Sequence, residues 1–155
     1  MKRFIKVRRK VVIIMNRSEI REVVLKFLYS LELQKLKKYE YKEQIKLFLE
    51  ANEIEDKKVE KYIKDAVYGI EANRKEIINQ IKDELSEKWE ISRLSKISLA
   101  ILKLAVYEMI YAKVPYKVVI NEAVELAKKY GDDSTPAFVN GILASVVKKN
   151  KIEEQ

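Results

Sequence analysis

The 155-residue sequence contains no cysteine and no histidine, and only three glycines, two prolines and one tryptophan. Without cysteine there can be no disulfide and no thiolate metal site. Without histidine the commonest general base and the commonest metal ligand are both missing. The glycines stand apart at 69, 131 and 141, so no glycine-rich phosphate loop can form. So few breakers favour long helices. No apolar run approaches the roughly 18 residues of a membrane span. The "VVII" stretch is too short for the apolar region of a secretory signal and has no small-residue cleavage site after it, so no such signal is expected. A soluble, cytoplasmic protein with no membrane contact is expected. Acids are also absent from the start: none precedes Glu19, while six of the first ten residues are Lys or Arg.

What is present describes a folded chain. Hydrophobic residues make up 48% and charged residues 36%, a balance that supports a core and argues against disorder. The length suits one domain. The chain carries a net charge of +8, of which Lys2, Arg3, Lys6, Arg8, Arg9 and Lys10 supply six, leaving +2 for residues 15–155.

Apolar spacing predicts helices throughout. Ile20, Val23, Val24, Phe27, Leu28 and Leu31 recur at the spacing of one buried face, predicting a helix from about Arg17 to Leu36 with Asn16 or Ser18 as its cap. A shorter helix is expected in "KKYEYKEQIKLFLE", then a polar connection, "ANEIEDKK". One long helix is predicted from about Asp56 to Leu85, with Val59, Ile63, Ala66, Val67, Ile70, Ile77, Ile78, Ile81 and Leu85 as its stripe. Gly69 inside it implies close approach of a neighbouring helix. Trp89 falls in a break. "LSKISLAILKLAVYEMIYA" is apolar nearly all round, the mark of a helix surrounded by others. After Pro115, "YKVVINEAVELAKKYG" is expected to bury Ile120, Ala123, Val124 and Ala127 and to end at Gly131 as a C′ residue. Thr135 and Pro136 suit the start of a last helix, which buries Phe138, Ile142 and Val146. Only "KVVIIM" hints at a strand. The fold class is all-α, a compact bundle of about six to seven helices.

No catalytic constellation can be assembled. No serine lies in a nucleophile-elbow pattern. Asp132 and Asp133 are a tight acid pair near a turn, and such a pair more often favours the positive end of the next helix than binds a metal. Glu108 in the central helix is read as structural, held by a cationic partner, because an unpaired buried charge is costly. The chain is therefore expected not to be an enzyme, and to need no cofactor and no metal.

Binding remains. On the wheel of the first helix Phe27 and Ile20 define the buried side, and Tyr29 falls opposite, near Lys26. Arg21 lies on the flank. An exposed aromatic needs no special explanation, yet among cations it is also a platform for an unstacked base. On the penultimate helix Lys117, Asn121 and Lys128 share one flank. Cations can hold phosphates there while an amide reads a base edge or sugar. The plainer reading, solvated lysines and an asparagine that ties a loop, is favoured by spacing alone.

The stretches "REVVLKFLYSLEL", "AILKLAVYEMIYAKVPYKVVINEAVELAKKYG" and "STPAFVNGIL" resemble the bacterial NusB family of transcription antitermination factors, from Arg17 to about Lys149. The resemblance implies an all-α fold of two three-helix halves. It implies binding of the single-stranded boxA segment of ribosomal RNA leader transcripts, together with NusE, a small-subunit ribosomal protein. The pair would help RNA polymerase, within an antitermination complex, to read through terminators. The family's arginine-rich helix start matches Arg17 and Arg21, although Ser18 and Glu19 stand where many members carry more arginine. Its "LYS" tyrosine matches Tyr29, and its "PYK…INEA" run places Lys117 and Asn121 at the RNA. Lys26 and Lys128 are secondary candidates. Ser98, Ala100, Ser134 and Pro136 depart from the family pattern near its partner surface, which bears on the details of NusE contact. A homodimer is compatible with the sequence.

"MNRSEIREVV", from Met15, looks like a complete family start. Residues 1–14 are thus either an over-called start or a natural basic extension, expected in the latter case to strengthen RNA binding without adding sequence preference. Residues 15–150 are expected to form a single all-α RNA-binding domain, and 151–155 a loose tail. Two rival functions are a helical adaptor that binds only protein, and an RNA-binding appendage like that of ribosomal RNA cytosine methyltransferases. The latter would be followed by a large catalytic domain, which 155 residues do not hold.

Overall fold

Helix α1 (Arg17–Gln34) begins where the sequence supplies a complete capping box. Asn16 accepts the Glu19 backbone N–H at 2.8 Å, and the Asn16 N–H is directed back at the Glu19 carboxylate at 3.4 Å. Two orphan donors of the first turn are thereby satisfied reciprocally. The computed structural model describes residues 3–7, 10–87 and 89–153, with side chains from Met15 onward except that of Lys38. Ahead of α1, strands β1 (Arg3–Val7) and β2 (Lys10–Ile14) pair antiparallel, Arg3 opposite Ile14 and Val7 opposite Lys10. The apolar run hinted at a strand; its partner, "RFIKV", lacked a legible alternation. A 3₁₀ turn at Lys38–Glu40, α2 (Tyr41–Ala51) and α3 (Lys57–Ala72) follow. Then come α4 (Arg74–Lys82), a 3₁₀ turn at Ile91–Arg93, α5 (Lys96–Ile110), α6 (Tyr116–Tyr130) and α7 (Thr135–Lys149). Apart from the hairpin the described architecture is all-α.

The backbone clusters into two units, 1–67 and 68–155, with the boundary inside α3. In the first, Val24, Leu25, Phe27, Ile45, Val59 and Ile63 are buried almost completely. Phe27 meets Phe48 of α2 edge-on, ring centroids 5.2 Å apart, a favourable aromatic geometry. α2 ends at Asn52 with Glu53 left-handed (φ 55) and the Ile54 N–H bonded to the Leu49 carbonyl at 2.9 Å, the geometry of a Schellman cap.

In the second unit α5 is the central helix, as its all-round apolarity predicted: ten of its fifteen residues are buried. Helices α4, α6 and α7 pack on it, and α6 packs on α7. Ser95 caps α5 through the Ser98 N–H at 3.1 Å. The long helix predicted from Asp56 to Leu85 is broken at Asn73, whose backbone leaves the helical region (φ −115, ψ 20). The Asn73 side chain donates to the Gly69 carbonyl at 2.8 Å, an alternative to the helical ladder that asparagine offers its own backbone. Periodicity could not reveal the break because Ile70 and Ile77, both buried, keep one phase across it. Gly69 does face a neighbour: a Cβ there would run into the Tyr107 ring of α5. That ring stacks on Tyr111 (6.4 Å, 18°), and the Tyr111 hydroxyl donates to Glu76 at 2.9 Å.

The turn between α6 and α7 departs from expectation. Gly131 is extended, not left-handed (φ −93); it is needed because a Cβ would lie 2.5 Å from that of Thr135. Thr135 sits inside α7 and Pro136 follows it in the first turn, while the capping acceptor is Asp132. One Asp132 oxygen accepts from the Ser134 and Thr135 backbone N–H groups (2.9 and 3.1 Å) and from both hydroxyls (2.7 and 3.0 Å). Asp132 of the acid pair thus serves the helix start. Within α7, Val139, Ile142, Leu143 and Val146 are buried, and Phe138 is half-buried. The first residues of the tail are ordered as a second Schellman cap. Lys151 is left-handed (φ 49), and the Ile152 N–H donates to the Val147 carbonyl at 3.1 Å. Asn150 and Gln80 exchange amide hydrogen bonds (3.1 and 2.9 Å), and Lys149 meets Asp83 at 2.6 Å, joining α7 to α4 and the residue after it.

Gly69→Ala is expected to lower the melting temperature, although alanine favours helix by about 1 kcal/mol. In a Tyr107→Ala background the same change should raise it; thermal melts of the four proteins check this reversal. Hydrogen bonds, first from the Ser134 hydroxyl, hold the Asp132 carboxyl below the usual aspartate range. Its stabilisation is therefore present above the unfolded-state value of about 4. It is lost as the pH falls through the lower folded value. The difference in stability between wild type and Asp132→Ala, from denaturant titrations, should shrink accordingly below about pH 4.

Candidate nucleic-acid interface

Helix α6 shows one face to solvent because the other is claimed by packing. Its buried residues are Val119, Ala123, Leu126 and Ala127. Ile120 and Val124, expected inside, are only half-buried, so the helix is rotated from the expected phase. That rotation moves Lys117, Asn121 and Lys128 from a flank to the face opposite the core. All three are exposed, and at about 100° per residue they fall within about 40° of one another. Lys128 contacts Glu125 at 3.1 Å, both side chains 59% exposed. An exposed pair of this kind contributes little and leaves the ammonium able to exchange partners. Val118, 43% exposed, adds an apolar surface beside Lys117. Sequence reasoning missed it because Val118 and Val119 are equally apolar and only packing decides which is inside.

Helix α1 also differs in phase. Its buried residues are Arg21, Val24, Leu25, Phe27 and Leu28, while Ile20, Val23 and Leu31 are intermediate. The centre of the buried sector therefore lies near Val24 and Leu28. Arg21, expected on the flank, is 5% exposed. Tyr29 stands at the border of the buried sector and is half-buried, not opposite it. Lys26 points squarely outward, and Arg17 is exposed in the first turn. The phase error came from Leu25, a 1% exposed residue that the chosen stripe omitted. Of the seven candidates, Arg17 and Lys26 are exposed on α1 and Lys117, Asn121 and Lys128 on α6. Tyr29 is half-accessible and Arg21 is inside.

Among the described residues no buried side-chain nitrogen or oxygen lacks a hydrogen-bond partner. Arg21, Lys103 and Glu108 are thus integrated polar groups. Among the described residues no three metal-ligating side chains converge, and no helix is long and apolar enough to cross a membrane. A cleft of about 360 Å³ where α5 ends and α6 begins is lined by residues that include Met109, Lys113, Tyr116 and Asn150. Among the described residues Glu153 is the one acid in its lining.

The model of the NusB family matches residues 18–148. The chain belongs to the NusB family. It is 43% identical over 136 residues to the transcription antitermination protein NusB of Clostridium novyi (strain NT), covering 86% of this chain and 99% of that protein. Its fold agrees with that of T. maritima NusB at a TM-score of 0.76 and 34% identity, over 87% of this chain and 92% of that one. It agrees at a TM-score of 0.75 and 30% identity with a chain from a crystal structure of antitermination factors NusB and NusE in complex with dsRNA, over 86% and 96% of the two chains. NusB proteins are non-enzymatic transcription antitermination factors, and this chain is one of that family. The matched segment contains six of the seven candidate residues; Arg17 lies one position before it.

Arg21→Ala should reveal a structural role for this NusB-family arginine. Its removal strands buried partners, at a cost of about 1–3 kcal/mol, and lowers the melting temperature by several degrees without RNA. Lys26→Gln should leave melting unchanged. Calorimetry on both variants separates buried support from surface contact.

Proposed function

We propose that this chain binds boxA RNA of ribosomal RNA leader transcripts together with NusE, in the cytoplasm, and so promotes read-through by RNA polymerase within an antitermination complex. The observation that carries the reading is the face of α6, where Lys117, Asn121 and Lys128 are exposed together on a helix whose opposite side is core. Two ammonium groups hold phosphates by charge, and the amide between them both donates and accepts, as reading a base edge requires. A solved relative in complex with NusE and dsRNA, 30% identical over 86% of this chain, supports the coarser part of this reading, a role beside NusE and RNA. On α1, Arg17 and Lys26 add phosphate contacts. Tyr29 offers the exposed part of its ring for stacking, worth about 1–3 kcal/mol per base. Arg21 supports this surface from within.

The test is fluorescence anisotropy of the full chain with a boxA-like RNA, a scrambled RNA of equal length and a duplex, with and without NusE. Preference for the boxA-like strand, sharpened by NusE, is expected. Asn121→Ala should reduce that preference by about 1–3 kcal/mol, and Lys117→Gln should weaken all RNAs alike. Equal binding of boxA-like and scrambled RNA in every condition would refute the reading and favour an adaptor that binds only protein.

A further inference from the structure

We infer that the α6 face has two unlike edges, one for phosphates and one for bases, and that Glu125 is its base-reading residue, accepting from the exocyclic amino group of an unpaired base; this rests on the RNA-binding reading above. At about 100° per residue, Lys117 and Lys128 lie within about 20° of each other, and Asn121 stands about 20° beyond Lys128. Continuing the same way round, Glu125 and Val118 follow at about 40° and 60° from Asn121. All five are exposed. The helix therefore presents a cationic edge, an amide along its midline, and an opposite edge made of one apolar side chain and one carboxylate. Lys129 lies beyond that second edge and reaches over the Tyr130 ring, 5.6 Å from its centroid.

A single RNA strand is two-sided in the same way, with phosphates along one side and bases projecting to the other. Phosphates on Lys117 and Lys128 direct the bases across Asn121 and over Val118 and Glu125. The carboxylate decides what can lie there. It accepts hydrogen bonds and donates none, so it suits the amino groups of adenine, cytosine and guanine. Uracil has no amino group, and its N3–H stands between two carbonyl oxygens that the carboxylate repels. Glu125 also acts on phosphate. Its carboxylate lies 3.1 Å from the Lys128 ammonium, both side chains 59% exposed. So exposed a pair contributes little to stability, and folding does not account for an acid on this stripe. In the free protein the carboxylate cancels the charge of Lys128, and a phosphate alone must compete with it. A strand that also brings an amino group gives the carboxylate a new partner and releases Lys128 to the phosphate. Backbone grip and base choice are thereby coupled, with Glu125 as the repulsive element that discriminates.

The experiment compares full-length wild type, Glu125→Ala, Glu125→Gln and a control, Glu43→Ala, which removes an exposed acid of α2. Anisotropy is followed with boxA-like RNA, scrambled RNA and a uridine strand of equal length, from about 50 to 200 mM salt. Glu125→Ala should bind the uridine strand roughly threefold tighter than wild type at low salt, with a log–log salt slope steeper by about 0.7, the share of one phosphate on a single strand. Adding Lys128→Gln to it should abolish the extra slope. Its preference for boxA-like RNA over the uridine strand should fall by about fivefold or more. Glu125→Gln loses the charge but keeps an acceptor, so it should tighten the uridine strand equally and retain part of the preference. The control should match wild type. Unchanged uridine affinity and unchanged preference in Glu125→Ala would overturn the inference, as would an equal effect from the control. So would weaker NusE binding by Glu125→Ala with no change toward any RNA, which would make this edge a protein contact. Equal affinity of wild type for boxA-like and scrambled RNA would sink the boxA reading alone; weaker binding of the uridine strand than of both, lost in Glu125→Ala, would leave the base edge standing.

Discussion

Everything positioned in the second unit depends on burying α5. Ten of its fifteen residues are inside, and each large apolar side chain among them contributes about 1.5–3 kcal/mol when removed from water. A helix with no wet face must be covered on several sides, so α4, α6 and α7 are drawn onto it. That requirement selects Val119, Ala123, Leu126 and Ala127 as the inner side of α6. The outer side then follows, and it is the one carrying Lys117, Asn121 and Lys128. The candidate interface is a by-product of the core: the same rotation that satisfies α5 brings two cations and an amide into one solvent-facing stripe.

Scarcity of glycine shapes the joints. Among the described residues, four left-handed positions are held by Lys35, Glu53, Lys113 and Lys151, and none by glycine. Each costs backbone energy that glycine would avoid, and cooperative helix caps hold them there. Two of the glycines serve close approach instead. Gly69 admits the Tyr107 ring and Gly131 admits Thr135. The residue with the widest backbone freedom is used here for its missing side chain.

On α1 the charged residues divide into two kinds. Arg21 is inside and integrated with buried groups, whereas Arg17 and Lys26 are outside. A guanidinium tolerates burial because its five donors can be satisfied from several directions. Burial separates these two arginines: Arg17 is exposed, and Arg21 is packed within the helix that presents it.

The sequence by itself determined most of the helical elements, a cap for α1 at Asn16 or Ser18, the central place of α5 and the close approach at Gly69. These follow from local spacing, capping chemistry and the absence of breakers, all of which act within a few residues. It also determined the exclusion of cysteine and histidine chemistry, since composition alone decides that. Only the tertiary structure decided the phase of α1 and α6. Each carries more apolar residues than one face can hold, and the neighbours choose which go inside. It decided the break at Asn73, where one side-chain amide competes for a carbonyl while the apolar stripe continues unchanged. It decided the pairing of Arg3–Val7 with Lys10–Ile14, because a strand is legible only with its partner.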